Sequence, residues 1–227
     1  MNASKDLSNA KDRDAKKIIK NEAIPKRRSN AQRSEETQSA LIEAVIEGLF
    51  DVGYAKTTTH EISRRAKATT GAMQHHFGSK DELILASLDR LFSEIKERLE
   101  AEASSRGPIA ERCRDLMHAL WHNYYGKQRY VAVWEIVVGS RVEPVLHKKV
   151  IQHRMASLET LQKIWNQTFA AEVGSQSSDA LHFALSHLRG AALFGLVDQS
   201  EEFIDRQLQH LSQTVVQMLT DGDGEGS

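Results

Sequence analysis

Apolar residues recur every three or four positions through most of the chain, and this spacing predicts a succession of amphipathic helices. Over 35–52, Leu41, Val45 and Leu49 form one row and Ile42, Ile46 and Phe50 the next, with Gly53 as the stop. Two short helices are predicted between Thr58 and Phe77. A long one over 80–103 has Ile84, Leu88, Leu91, Phe92, Ile95 and Leu99 inward. Arg106-Gly107-Pro108 breaks the pattern, and 109–139 reads as two helices divided near Gly126. A helix over 144–170 is expected to turn Val145, Ile151, Met155, Leu158, Leu161, Trp165 and Phe169 inward. After a polar loop come 178–198, with Leu181, Leu185, Leu188 and Ala192, and 201–220, with Ile204, Leu208, Leu211, Val215 and Met218. The expected fold is all-α, with about nine helices. Its expected parts are a disordered basic arm over 1–33, a three-helix domain over 34–83, a helical body over 84–220 and a flexible tail over 221–227.

The stretch from Thr57 to Leu83 carries the densest local signals. Thr58 can cap a helix, with Glu61 completing a capping box, and Ile62 and Ala66 give a narrow apolar face. Lys67-Ala68-Thr69 makes a turn whose threonine can cap the next helix, in which Met73 and Phe77 repeat at i and i+4. Gly78 stands where a helix ends in a left-handed residue, and Ser79 to Glu82 reads as a second capping box. Two short helices with small inward residues and a three-residue turn make a helix-turn-helix. The second helix turns Thr70, Ala72, Gln74 and His75 outward, a face without bulky apolar groups that suits a major groove. The same spacing is compatible with a plain helical hairpin inside a bundle.

Gly53-Tyr54, Thr57-Thr58, Glu61-Ile62, Ala66, Thr69, Gly71, His76-Phe77 and Ser79-Lys80 resemble, in order and spacing, the DNA-binding signature of the tetracycline-repressor (TetR) family. The resemblance spans Glu36 to Leu85. It implies a homodimer that represses transcription until a small molecule binds a second domain. The outward positions, taken with the resemblance, suggest base reading by His60, Thr70, Ala72 and Gln74. Helix N-termini and the resemblance together place phosphate contacts at Thr58, His75, His76 and Lys80. Two residues depart from the pattern. Lys67 stands where the family usually has glycine; a left-handed lysine costs about 1–2 kcal/mol. Gln74 stands where it usually has tyrosine, and glutamine can bond bidentately to adenine.

Charge sharpens this picture. The net charge is −1, yet residues 1–33 hold ten Lys/Arg and four Asp/Glu, a net of +6, which leaves −7 on the remainder. A basic arm beside a helix-turn-helix points to double-stranded DNA, with Lys26, Arg27, Arg28 and Arg33 as further phosphate contacts. No apolar run is long enough for a transmembrane helix and the charged N-terminus lacks the apolar region of a secretion signal. With one cysteine, Cys113, the expectation is a cytoplasmic, nucleoid-associated protein that contacts no membrane. No Gly-rich phosphate loop, GxSxG or HExxH marks an enzyme. An acidic body of about 140 residues argues against an architectural DNA coat. A transcriptional activator of the same fold remains the alternative to a repressor.

Two further groups stand out. Aromatic residues with polar tips are dense between 118 and 134, and His118, Trp121, Tyr125, Trp134, Trp165 and Phe183 are candidates to line an effector pocket against the far part of the 80–103 helix. An ordinary aromatic core has the same periodicity. His118 and His122 lie at i and i+4 without a third ligand nearby, so no metal or other cofactor is expected, only a small-molecule effector. The alternating steps of three and four in the last two helices suggest a dimer seam through Leu181, Leu185, Leu188, Leu208, Leu211 and Val215.

Overall fold

A computed structural model of the chain describes residues 29–102, 107–169, 177–195 and 200–220; Lys26, Arg27, Arg28 and the 221–227 tail lie outside these. The described residues form nine α-helices and no strand: α1 Asn30–Val52, α2 Thr59–Ala66, α3 Thr70–Phe77, α4 Lys80–Glu102, α5 Ile109–Leu120, α6 Gln128–Gly139, α7 Pro144–Phe169, α8 Ser177–Phe194 and α9 Glu201–Thr220. A π-helical turn over Trp121–Tyr125 joins α5 to Gly126, and a 3-10 turn over Ser140–Val142 joins α6 to α7.

The chain divides into two compact units at Glu36/Thr37. In the first, residues 29–36 are not an extension of an irregular arm. The Ser29 N–H donates to Gln32 Oε1 at 2.9 Å and the Gln32 N–H donates to Ser29 Oγ at 3.1 Å. This reciprocal box starts α1 five residues earlier than the apolar pattern indicates, since capping needs no apolar residue. Arg33 is therefore helical.

From Thr37 onward one continuous core runs through all nine helices. Leu41, Val45 and Leu49 of α1 are buried with Ile62, Met73 and Leu83, and Ile84, Leu88, Leu91, Ile95 and Leu99 form the inner row of α4 as expected. Leu181, Leu185 and Leu188 of α8 and Leu208, Leu211 and Val215 of α9 are also buried, which corrects their assignment to a dimer seam: they close the chain's own interior. The α7 expectation also needs correction. Leu146, Val150, Leu161, Ile164, Trp165 and Phe169 face inward, whereas Val145, Ile151 and Met155 are exposed. The buried row of α7 passes through Ser157, whose hydroxyl donates back to the His153 carbonyl; an apolar-only reading skips such a position. Cys113 is fully buried, and burial pushes its thiol up to about 12, so it packs as a small apolar residue.

Candidate nucleic-acid interface and interior cavities

Thr58 caps α2, its hydroxyl accepting the Glu61 N–H at 3.3 Å, and Thr69 caps α3 by accepting the Ala72 N–H at 3.1 Å. Neither expected capping box closes. The Glu61 carboxylate accepts from Arg64 and Arg65 instead, and these guanidiniums hold its pKa down at about 2. Ser79 does accept the Glu82 N–H at 3.2 Å, but Glu82 pairs with Lys149 of α7 at 2.9 Å. A carboxylate offered a full positive charge leaves a neutral backbone N–H.

The turn between α2 and α3 is left-handed at Lys67, with φ 50° and ψ 36°, and its N–H reaches the Ser63 and Arg64 carbonyls. Lys67 is the one non-glycine residue with positive φ among the described residues. Gly78 ends α3 at φ 71°. These two reversals aim α3 outward. His60, Thr70, Gln74 and His75 are exposed, Ala72 and His76 are half-buried, and Met73 is in the core. Of the residues expected to read bases, His60 on α2 and Thr70 and Gln74 on α3 are thus exposed, and Ala72 is only half-buried. Thr58 is exposed beside them, but Lys80 is half-buried, with its ammonium 4.8 Å from the centre of the Tyr54 ring.

Tyr54 carries the contact that sequence reasoning missed. Its N–H donates to Glu135 Oε2 of α6 and its hydroxyl to Glu143 Oε1, each at 2.8 Å. Burial and the neighbouring Glu143 push the phenol pKa up, so the hydroxyl stays a donor. Its ring lies on the backbone of Gly139, where any Cβ would overlap Tyr54 Cβ and Cγ. The turn after α1 is thereby clasped by both sides of the α6–α7 junction, 81 and 89 residues away in sequence. A second strap runs through Arg129 of α6, which pairs with Glu43 of α1 at 2.6 Å and Glu94 of α4 at 3.1 Å.

The six aromatic and histidine candidates for an effector pocket do not meet in one place. Trp121 and Tyr125 line a cavity of about 310 Å³ with Phe50, Gly126 and Ala192. Trp134 lines a different cavity of about 170 Å³ with Tyr130 and Val133 of α6, Arg154 and Leu158 of α7, and Arg189 of α8. His118 stacks on His122 and borders a groove of about 410 Å³ between α5 and α9. Trp165 is buried against Phe169, and Phe183 is 41% exposed on α8. No α4 residue lines any of these three spaces, although Arg98 of α4 donates to Asn123 Oδ1 beside the aromatic turn at 2.8 Å. Periodicity located the aromatic helices correctly, but which side each ring takes depends on packing partners far along the chain. Among the described residues no group of three or more His, Cys, Asp or Glu could hold a metal ion, and no helix is long and apolar enough to cross a membrane.

Comparisons with known proteins agree with this architecture. Residues 41–87 match the family described as bacterial regulatory proteins, tetR family. The chain is 25% identical over 184 residues to the HTH-type transcriptional regulator CymR of Pseudomonas putida, covering 80% of this chain and 90% of that protein. A transcriptional regulator of Rhodococcus sp. Rha1 superposes with a TM-score of 0.65 at 20% identity, covering 81% of this chain and 96% of that one. The regulator FadR of Bacillus subtilis, solved with stearoyl-CoA, superposes with a TM-score of 0.60 at 16% identity, over 81% and 98%. At such identities the two structures show a shared fold.

Proposed function

The chain belongs to the TetR family of DNA-binding transcriptional regulators, which are not enzymes, and from that premise we propose that it is a homodimeric repressor released from a palindromic operator by a small molecule. The observation that carries this reading is the Tyr54 clasp. It ties the turn before the helix-turn-helix to Glu135 of α6 and to Glu143, the residue before α7, and α6 and α7 also wall the cavity beside Trp134. A molecule that spreads α6 from α7 therefore strains the hydrogen bonds that hold the DNA-reading end. The switch acts through this junction, not through a tilt of α4 alone.

Base reading falls to His60, Thr70, Ala72 and Gln74, and phosphate contact to Thr58, His75, His76 and Lys80, with the basic residues before α1 and Arg33 as further contacts. Two such domains must meet successive major grooves about 34–36 Å apart, so the operator has two-fold symmetry. The dimer forms through the outward side of α8 and α9. Phe183, His187, Gly190 and Phe194 follow one another at steps of four, three and four on α8, with Phe183 and Phe194 exposed, and Phe203 is exposed on α9. Gly190 leaves room for close helix approach, since a Cβ there would meet nothing within 4 Å. The experiment is footprinting of DNA selected from a random pool, followed by a screen for compounds that release it. A short symmetric protected segment and ligand-dependent release are expected. Uniform protection would instead make the protein an architectural binder. Sedimentation of Phe183→Asp with Phe194→Asp should show monomers; a dimer of unchanged strength places the seam elsewhere.

A further inference from the structure

The cavity between α6, α7 and α8 contains positive charge that the chain does not balance. The other half-buried arginines of the described body have acceptors: Arg65 pairs with Asp51 and Glu61, Arg90 with Glu43 and Glu94, Arg129 with Glu43 and Glu94, and Arg112 donates to the Thr168 carbonyl. Arg154 and Arg189, both half-buried on the cavity wall, have no carboxylate partner among the described residues. Arg154 Nη1 donates to the Tyr124 hydroxyl at 3.3 Å, and Arg189 lies beside the Tyr125 hydroxyl, so the groups facing both are neutral phenols and no carboxylate. A guanidinium keeps its proton at any physiological pH, so both are cations. Withdrawing a cation from water without a counter-ion is costly.

The surrounding groups are donors as well. Tyr124, Tyr125 and Tyr130 pack edge-to-face, with ring centroids 4.7–5.1 Å apart. Burial pushes the Tyr125 hydroxyl up to about 12 and the Tyr130 hydroxyl higher still, so neither supplies a negative charge. The Tyr130 hydroxyl and Trp134 Nε1, both on the cavity wall, are buried without a hydrogen-bond partner, and the Tyr125 hydroxyl lies behind them beside Arg189. A carboxylate has two oxygens with about four lone-pair sites and accepts from guanidinium bidentately, which answers this set of donors. The rest of the wall, including Val133, Val137 and Leu158, is apolar. The space of about 170 Å³ opens to solvent past Ile151 and Met155, and its volume suits one ring or a short alkyl chain, a benzene filling ~150 Å³.

We propose that the effector is a small monocarboxylic acid with one ring or a short alkyl chain, its carboxylate held between Arg154 and Arg189 and its apolar part against Val133, Val137 and Leu158. This rests on the reading that the body holds an effector, and it names that effector's chemistry. Ligand charge enters beside Trp134, one residue before the Glu135 that holds the Tyr54 N–H. The acid thereby neutralises the arginines and presses on the helix that carries the clasp.

The test uses the full chain with benzoate, 4-methylbenzoate and hexanoate, each beside its neutral amide, with binding followed by tryptophan fluorescence and calorimetry. Acids should bind about 10- to 100-fold more tightly than the amides, as expected of charge-assisted hydrogen bonds. Arg154→Met with Arg189→Met should abolish that preference. It should also raise the melting temperature of the ligand-free protein, because two uncompensated cations are replaced by apolar groups. Amides binding as tightly as acids, or no acid binding in the millimolar range, overturns the proposal on the unaltered chain. A double variant that melts lower or fails to fold makes the arginines structural and also counts against it. Operator release separates the two readings. If neutral compounds release DNA and acids do not, the repressor stands and the carboxylate falls. If acids bind with the arginine dependence but no compound releases DNA, the acid site stands and ligand control of the operator falls.

Discussion

The DNA-reading end and the cavity end of this molecule are built on opposite principles. In α2 and α3 the reversals and caps are made by residues within five positions of one another: Thr58 with Glu61, Lys67 with Ser63 and Arg64, Thr69 with Ala72, Gly78 with Gln74. The polar groups there point outward. At the cavity end the polar groups point inward, and they come from three helices separated by tens of residues: Tyr130 and Trp134 of α6, Arg154 of α7 and Arg189 of α8. One end is a rigid, locally coded shape ready for a charged polymer. The other is a site whose donors have no acceptors, poised for a ligand to complete it. Tyr54 joins the two.

The sharpest way to break this comparison is at the joint. Gly139→Ala places a methyl inside the Tyr54 ring, and overpacking of this kind costs about 1–3 kcal/mol or more. Denaturant melts should show the loss, and operator affinity should fall with it. Intact stability would mean that Tyr54 moves aside freely and that the clasp is not the link. At the reading end, Gln74→Ala should lose about 1–3 kcal/mol at a single base pair, measured by binding to operator variants. Equal weakening on every sequence would remove Gln74 from base reading. Lys80→Ala should weaken binding on all sequences alike and lower the salt slope by about one unit. An unchanged slope would leave Lys80 with only its place over the Tyr54 ring. The smallest effect concerns the turn: Lys67→Gly should stabilise the protein by about 0.5–1 kcal/mol. Glycine removes the left-handed penalty of about 1–2 kcal/mol but loses more chain entropy on folding. Thermal melts decide this, and a destabilised Lys67→Gly would show that the left-handed residue carries no strain.

Leu208→Asp with Leu211→Asp, a natural choice from the heptad-like steps, cannot report on a dimer. Both side chains are only 2% exposed within their own chain, so the pair would unfold it. A spacing of three and four states that a helix has an apolar stripe; it does not state whether a neighbouring helix or a second copy covers that stripe. The two exposed phenylalanines on the other side of α8 share their steps of four and three with His187 and Gly190, so no apolar stripe marked them.

By itself the sequence determined the all-helical class, the succession of nine helices, the helix-turn-helix with its outward face, and the left-handed turn at Lys67. Each depends on interactions within about one helical turn, where caps, glycine conformations and apolar periods act directly. The capping boxes failed as a pair because Arg64, Arg65 and Lys149 compete for their glutamates, and the last of these lies 67 residues away. Only the tertiary structure decided that Tyr54 is clasped by Glu135 and Glu143, that the aromatic candidates divide among separate cavities, and that Arg154 and Arg189 face inward without a counter-ion. These follow from the burial of polar groups between helices distant in sequence. An arginine on an amphipathic helix reads as solvated until packing shows which acids come near it and which do not.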